Sequence, residues 1–221
     1  MRRTTIRVLG WLTVLALLLG LVWGFGVAPR EVTQGNVQRI MYLHVPSAIV
    51  GEYVGFGVLF LASIAYLLTR SERADRLARA SAEVAVVLLA ITIVSGSIWG
   101  KPTWGTWWTW DARLTTVTIL FVMGLAYLLL RGMIEDGERA ARFGAVLGIL
   151  APLNVPLVHF SVYWWRTLHQ PPSLLKPGPS MISGDAIKDA LYINLAAFVL
   201  LYAYLVATRV RLLRREVEAL A

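Results

Sequence analysis

The chain contains no cysteine and few charged residues, and both shortages restrict its chemistry. Without cysteine it forms no disulfide, offers no thiolate to a metal and cannot attach a cofactor through a thioether. Charged residues make up 15% of the 221 residues, whereas 57% are hydrophobic and the mean hydropathy is +0.65. This composition excludes an ordinary soluble domain. Any metal must therefore be bound by histidine, carboxylate or backbone groups of a membrane protein.

A phosphate-binding loop is also missing. The segment WGKP at residues 99–102 lacks the second glycine spacing and the hydroxyl of such a loop, and no other segment supplies them. The sequence has no basic patch with interleaved aromatic residues of the kind that binds nucleic acid. We therefore expect no hydrolytic or ATPase site in this chain, and any ATP hydrolysis that the function requires must belong to a partner.

Six apolar segments are long enough to cross a membrane, since a spanning helix needs about 20 mostly apolar residues. They cover residues 8–27, 49–68, 82–98, 115–130, 143–163 and 187–206. The connections between them are too short for a second domain. The sequence predicts an all-α polytopic membrane protein, with residues 1–221 forming a single six-helix membrane domain.

The distribution of lysine and arginine predicts the orientation of these helices. Fourteen basic residues lie at the two termini and in the second and fourth connections, against six in the other three connections. Basic residues near helix ends resist translocation. Both termini should therefore be cytoplasmic, and this bias together with anionic lipid headgroups accounts for the net charge of +8.

Tryptophan is concentrated in the outer connection 99–114, which reads WGKPTWGTWWTWDARL. Five of the nine tryptophans lie there, and eight of the nine belong to the outer side, whereas an interfacial belt should be balanced between the two faces. We expect Gly100, Pro102 and Gly105 to interrupt helical structure in this segment. A cluster of flat indoles is suited to a large planar ligand. The predicted platform consists of Trp99, Trp104, Trp107, Trp108 and Trp110.

The three histidines all lie at or near the outer face. His44 is expected at the end of the outer connection 28–48, with Pro46 in the first turn of the next helix, and His169 in a connection stiffened by Pro171 and Pro172. A tetrapyrrole iron with two axial ligands needs one neutral imidazole on each face. We predict His44 and His169 as this pair. His159, inside a span, is expected to be a buried polar contact or a supporting group.

Charged residues beside the platform have two possible roles. Asp111 precedes a predicted helix, so it suits a helix cap as well as a ligand contact. Arg113 and its outer-side counterparts Arg39 and Arg166 could pair with the propionates of a haem, and they could equally be interfacial anchors.

Other features concern packing at membrane depth. Glu52, Asn154 and Asn194 are polar residues at membrane depth and therefore candidates for function. For Glu52 and Asn194 we favour interhelical hydrogen bonding or snorkelling, and Asn154 can satisfy backbone groups freed by the nearby prolines. Pairs of glycines spaced four apart, at 20 and 24, 51 and 55, 96 and 100, and 144 and 148, predict close helix packing. Pro152 and Pro156 predict a kink in the fifth span.

Four segments together resemble the CcmC family, haem-handling membrane proteins of c-type cytochrome maturation that carry the tryptophan-rich WWD motif. The segments are GLVWGFGVAP (20–29), RIMYLHVPSA (39–48), GSIWGKPTWGTWWTWDARLT (96–115) and NVPLVHFSVYWWRTLHQ (154–170). The resemblance extends over most of the chain. It implies six spans in the bacterial inner membrane with the motif outside, haem b between His44 and His169, and the WWD segment packed against the ring.

The resemblance also implies partners. Haem would be handed to the periplasmic chaperone CcmE, with CcmD and the ATP-driven CcmA and CcmB as further subunits. Two alternatives stay open at this point. One is an electron-transfer membrane cytochrome with bis-histidine haem, and the other is a scaffold subunit of a transporter complex that binds no ligand.

Overall fold

A computed structural model of the chain describes residues 3–171, 174, 182 and 184–220, with side chains at the carboxyl end described to residue 216. Pro172 and Lys176 lie outside these residues. The described part contains no β-strand, and its secondary structure is helical, as the composition predicts. The α-helices are α1 (Arg3–Val22), α2 (Met41–Ile49), α3 (Phe56–Thr69), α4 (Glu72–Trp104), α5 (Ala112–Met133), α6 (Gly137–Leu150), α7 (Asn154–Trp164) and α8 (Asp185–Leu220).

These helices form six membrane-spanning segments. Short π-helical and 3₁₀ pieces join some of them, so that each span is longer than its apolar core in the sequence. The spans are Arg3–Val27, Val37–Thr69, Glu72–Trp104, Ala112–Met133, Gly137–Trp164 and Asp185–Glu216. The predicted number of spans is confirmed. The chain is a multi-pass protein whose helices are long and apolar enough to cross a bilayer.

Two spans are interrupted within their length. The second changes to a π-helical segment at Val50–Gly55, and the fifth changes to a 3₁₀ turn at Ala151–Leu153, where Pro152 cannot continue the α-helical hydrogen bonds. The fifth span is interrupted at Pro152, one of the two prolines predicted to kink it, whereas Pro156 lies inside α7. Asn154 donates a hydrogen bond to the carbonyl of Thr116 at 2.7 Å, which ties the start of α7 to α5.

The helices pack closely because small residues lie where they meet. A Cβ added to Gly55, at the end of the π-helical segment, would come within 2.6 Å of the Cβ of Ala85 in α4, so the second and third spans could not approach as they do with a larger residue at position 55. Asn194 of α8 donates to the carbonyl of Gly20 at 3.1 Å, an interhelical hydrogen bond of the expected kind. A buried apolar cluster centred on Phe56, Leu59, Leu89, Leu120 and Val158 joins α3, α4, α5 and α7.

The connections between α3 and α4 and between α5 and α6 are short and charged. Arg131 at the end of α5 makes a two-pronged ion pair with Asp75 near the start of α4, with Nη2 to Oδ2 at 2.8 Å. Arg76 pairs with Glu72 one turn earlier, as expected for a solvated helix end. The ion pairs stabilise one end of the bundle.

The opposite end differs from the prediction in two places. The helical span that contains Pro46 begins at residue 37, and α2 within it begins at Met41. His44 therefore lies inside α2, and its expected position in a loop was wrong. Similarly, α4 continues through Gly100 and Pro102 to Trp104. It is capped by Gly105, which adopts φ +79°. Both corrections bring residues expected in loops onto rigid helix ends.

A cavity lined by two histidines and three tryptophans

A cavity opens among α2, α4, the start of α5 and the segment that follows α7. It encloses about 1200 Å³ when the open space at its mouth is included. The side chains on its wall that carry the argument are His44, His169, Trp99, Trp104, Trp108 and Arg113.

His44 is oriented by two polar groups of α4. Its Nδ1 lies 3.1 Å from the carbonyl oxygen of Thr92 and 3.2 Å from the Oγ of Ser95. A carbonyl oxygen only accepts, so Nδ1 carries the proton and donates it. The lone pair of the neutral ring is consequently on Nε2. Histidines that bind metals typically donate their other ring N–H to a carbonyl or carboxylate in this way.

His169 has the same arrangement on a different element. Its Nδ1 lies 2.8 Å from the carbonyl oxygen of Gln170, so this ring also donates from Nδ1 and keeps the Nε2 lone pair. Burial lowers the pKa of His169 from 6.5 to about 4, and the positive charge of Arg113 acts in the same direction. His169 is therefore a neutral potential ligand throughout the physiological pH range.

The tryptophan segment contacts both histidines. The ring of Trp99 meets that of His44 edge-on, with centroids 5.7 Å apart, and Trp104 meets His169 with centroids 6.0 Å apart. The two tryptophans lie five residues apart at the end of α4. One rigid helix end thus sets the positions of two imidazoles that come from distant parts of the sequence.

The five predicted platform tryptophans do not share one environment. Trp108 joins Trp99 and Trp104 on the cavity wall, whereas Trp107 and Trp110 do not line it and are 56% and 73% exposed. The cluster therefore has a face toward the cavity and a face toward the surroundings.

Asp111 caps a helix and also bridges two connections. Its Oδ1 accepts a hydrogen bond from the N–H of Leu114 at 2.9 Å, which caps α5. Its Oδ2 accepts from the N–H of Leu168 at 3.0 Å. Asp111 is not part of the cavity wall. It links the tryptophan segment to the residue next to His169.

The three candidate arginines have different positions. Arg113 lines the cavity and donates to the carbonyl of Val158 at 3.0 Å. Arg39 donates to the carbonyls of Phe25 and Ala28 and so stabilises the chain after the first span. Arg166 is exposed and does not line the cavity. Of the three, only Arg113 is placed to contact a ligand inside the cavity.

His159 lies outside the cavity wall. Its Nδ1 is 2.7 Å from the hydroxyl of Tyr53, a residue that does line the cavity. Its position agrees with the expected polar contact. Within the described residues no group of three or more His, Asp or Glu side chains could hold a metal ion, so His44 and His169 would need a ligand that brings its own donor atoms.

The sequence did not connect His44 with the residues that surround it, although Gly96 was predicted to be a packing glycine. Thr92, Ser95 and Gly96 lie on one face of α4, and a Cβ at Gly96 would come within 2.8 Å of the His44 Cε1. Their spacing of three and four residues in an otherwise apolar span was the available signal. Glu52 also lines the cavity, at 1% exposure, and its Oε2 has no partner among the described residues.

Comparison with known proteins identifies relatives over the whole chain. The model of the CcmC family, described as "Heme exporter protein C", matches residues 1–221. A protein of that name from Bradyrhizobium diazoefficiens is 41% identical over 221 residues, which cover 98% of this chain and 83% of the relative.

Two further relatives carry the same name. The protein from Escherichia coli K12 is 37% identical over 201 residues, covering 90% of this chain and 79% of its own length. That from Paracoccus denitrificans is 35% identical over 225 residues, covering 99% of this chain and 92% of its own length.

Proposed function

The chain belongs to the CcmC (heme exporter protein C) family, and from this premise we propose that it binds haem b at the outer face of the bacterial inner membrane and presents it to the chaperone CcmE. The family is that of a haem exporter, so the protein has a role in haem export and cytochrome c maturation. The specific cargo, partner and residues are the proposal.

One observation carries the proposal. His44 and His169 line the same cavity, and each donates from Nδ1 to a protein oxygen, which leaves Nε2 available. Two neutral imidazoles satisfy the axial positions of a haem iron, and the porphyrin supplies the other four nitrogens. The absence of a third histidine or carboxylate ligand among the described residues favours this ligand over a bare metal ion.

The other wall residues would hold the ring. Trp99, Trp104 and Trp108 offer apolar surface against the porphyrin, and Arg113 is the cavity arginine that can pair with a propionate. Asp111 acts indirectly, because its hydrogen bond to Leu168 holds the connection that carries His169. In this proposal the protein acts by positioning haem for its handover.

Handover requires that part of the site faces a partner. Trp107 and Trp110 flank the cavity-lining Trp108 in the chain, and their exposed rings suit contact with the chaperone or lipid. We propose that this end of a single six-helix domain is periplasmic and both termini are cytoplasmic, as the distribution of basic residues favours. CcmA, CcmB and CcmD are the proposed further subunits of the complex.

The absorption spectrum of the purified protein tests the ligand assignment. Wild type and His159→Ala should show bis-imidazole haem, whereas His44→Ala and His169→Ala should lose one axial ligand each. Unchanged spectra in the two latter variants would remove the basis of the proposal. A haem-free wild type that binds no added haem would support the scaffold alternative.

The electron-transfer alternative gains support from one observation. His44 lies on a helix within a span, as histidines of membrane cytochromes commonly do, although His169 lies in a connection beyond α7. Mixing haem-loaded protein with apo-CcmE separates the two functions. Transfer of haem to CcmE supports delivery, whereas haem that stays bound while it exchanges electrons supports the alternative.

A further inference from the structure

Two clefts meet at the end of the bundle opposite the histidines. One lies between the start of α1 and the end of α8 and encloses about 750 Å³, and the other lies between the start of α4 and the end of α8 and encloses about 2210 Å³, open space included. Ile6, Arg211 and Arg215 line both clefts. The clefts are therefore adjacent parts of one surface, which we call the arginine clefts.

The rim of the arginine clefts is strongly basic. Among the described residues that line the clefts, the only acidic one is Glu72, which is paired with Arg76 at 2.8 Å. Arg3, Arg7 and Arg211 form no ion pair with another described residue. The arginines of the two rims come from three helices, and they are Arg3, Arg7, Arg73, Arg76, Arg211, Arg214 and Arg215.

Below this rim the wall is apolar. Ala203, Val206 and Val210 of α8 face the larger cleft together with Leu77 of α4. From Ala203 to Arg215 a helix rises about 18 Å, so the apolar wall lies within the last turns of the span and the arginines lie at the level of the headgroups. Ions, nucleotides and acidic peptides would contact only the basic rim and not the apolar wall. A phospholipid uses both, with its phosphate on the arginines and its chains along the wall.

We propose that the arginine clefts bind an anionic phospholipid, and that the best-fitting headgroup carries two phosphates, as in diphosphatidylglycerol. Two clefts that share Arg211 and Arg215 can receive two linked phosphates, one in each cleft. General attraction of basic residues to an anionic leaflet needs only a charged surface. A bound lipid needs the concave apolar wall as well, and this surface has both.

Native mass spectrometry of the full chain in a zwitterionic detergent tests the proposal. The probes are diphosphatidylglycerol, phosphatidylglycerol, phosphatidylcholine and inorganic pyrophosphate, each added at the same concentration. Wild type should retain one diphosphatidylglycerol through mild activation, less phosphatidylglycerol and no phosphatidylcholine. Retention of pyrophosphate equal to that of the lipid would identify a phosphate site without a lipid and overturn the proposal.

Variants separate a bound lipid from overall charge. The double variant Arg211→Gln/Arg215→Gln should bind diphosphatidylglycerol about thirtyfold more weakly, since each arginine near a headgroup contributes about 1 kcal/mol. The matched control is Arg139→Gln/Arg142→Gln, which removes two exposed arginines from the first turns of α6, outside the clefts. Its affinity should stay within twofold of wild type.

Haem binding serves as the folding check, because the histidine cavity lies at the other end of the bundle. Both double variants should keep the wild-type haem spectrum. Equal loss of lipid in the two double variants, or no loss in either while haem binding is intact, would show that the clefts are not a lipid site. A polar substitution in the apolar wall, Val206→Asn, should weaken lipid retention and leave pyrophosphate unaffected.

Discussion

The Oδ2 of Asp111 accepts a hydrogen bond from the backbone N–H of Leu168 at 3.0 Å, across 57 residues of sequence. Leu168 precedes His169, and Asp111 ends the tryptophan segment. The hydrogen bond fixes one proposed iron ligand relative to the aromatic wall. The same carboxylate caps α5 by accepting from the N–H of Leu114. One side chain therefore holds the tryptophan segment and the connection that carries His169 at the start of α5.

Replacing Asp111 should separate its two roles. Asp111→Ala loses the cap, which costs about 1 kcal/mol of stability, and also frees the Leu168 N–H. We expect haem affinity to fall about fivefold, the equivalent of one lost hydrogen bond of about 1 kcal/mol. The measurements are thermal unfolding and haem titration.

Asp136→Ala is the matched control for this change. Asp136 caps α6 through the N–H of Arg139 at 2.9 Å and has no contact with the cavity. It should lose similar stability and bind haem as wild type does. If it lowered haem affinity as much as Asp111→Ala, the bond to Leu168 would have no specific role.

Gly96 should be essential for the position of His44. A Cβ at residue 96 would lie 2.8 Å from the His44 Cε1, so Gly96→Ala must displace the imidazole. We expect the bis-imidazole spectrum to be lost although both histidines remain. Gly57→Ala is the control, since a Cβ there meets no atom within 4 Å. A normal spectrum in Gly96→Ala would contradict the described packing.

The two classes of tryptophan should have different functions. Trp99→Leu or Trp104→Leu should weaken haem binding about twofold to tenfold, because each ring contacts a histidine and lines the cavity. Trp107→Leu and Trp110→Leu should leave haem affinity unchanged and slow transfer to CcmE. Haem titration followed by a transfer assay distinguishes the two effects, and equal loss of affinity in all four variants would contradict this division.

The low pKa of His169 predicts a wide pH range for its part in haem binding. With a pKa of about 4, against 6.5 for an exposed histidine, the ring stays neutral as pH falls to 5. Its contribution to affinity should be constant from pH 8 to 5 and decrease only as pH approaches 4. Affinity measured in His44→Ala isolates this contribution, and a midpoint near 6.5 would contradict the prediction.

The low pKa of His169 also makes the stability of the apoprotein depend on pH. The unfolded chain binds a proton at His169 near pH 6.5 and the folded apoprotein only near pH 4, so the unfolded state takes up more protons between these values. The stability of the apoprotein should therefore decrease as pH falls from 6.5 to 4. His169→Gln should remove that part of the decrease in a pH series of unfolding measurements.

Several features of the site were predictable because they depend on residue type. His44, His169 and the tryptophans of residues 99–110 can be recognised from their chemistry and from their location between apolar segments. Which tryptophans face the cavity was not predictable, because the direction of each ring depends on where α4 ends at Gly105 and how the loop folds back. Likewise, the partners of His44 on α4 lie about 50 residues away in sequence.

The roles of the arginines show the same division. Arg39, Arg113 and Arg166 were equivalent candidates by composition and location. The structure places Arg113 on the cavity wall and Arg39 on two backbone carbonyls. No local pattern distinguishes the two, because the acceptor of each guanidinium belongs to another segment of the chain.

The sequence alone determined the six membrane spans, the all-helical class and the residue types available to a ligand, because hydropathy and side-chain chemistry are local properties. The tertiary structure decided that His44 lies on a helix, that its Nδ1 is bound and its Nε2 left available, and that Asp111 joins the tryptophan segment to the connection of His169. These relationships depend on the rotation and close approach of helices, which arise from contacts between residues far apart in the chain.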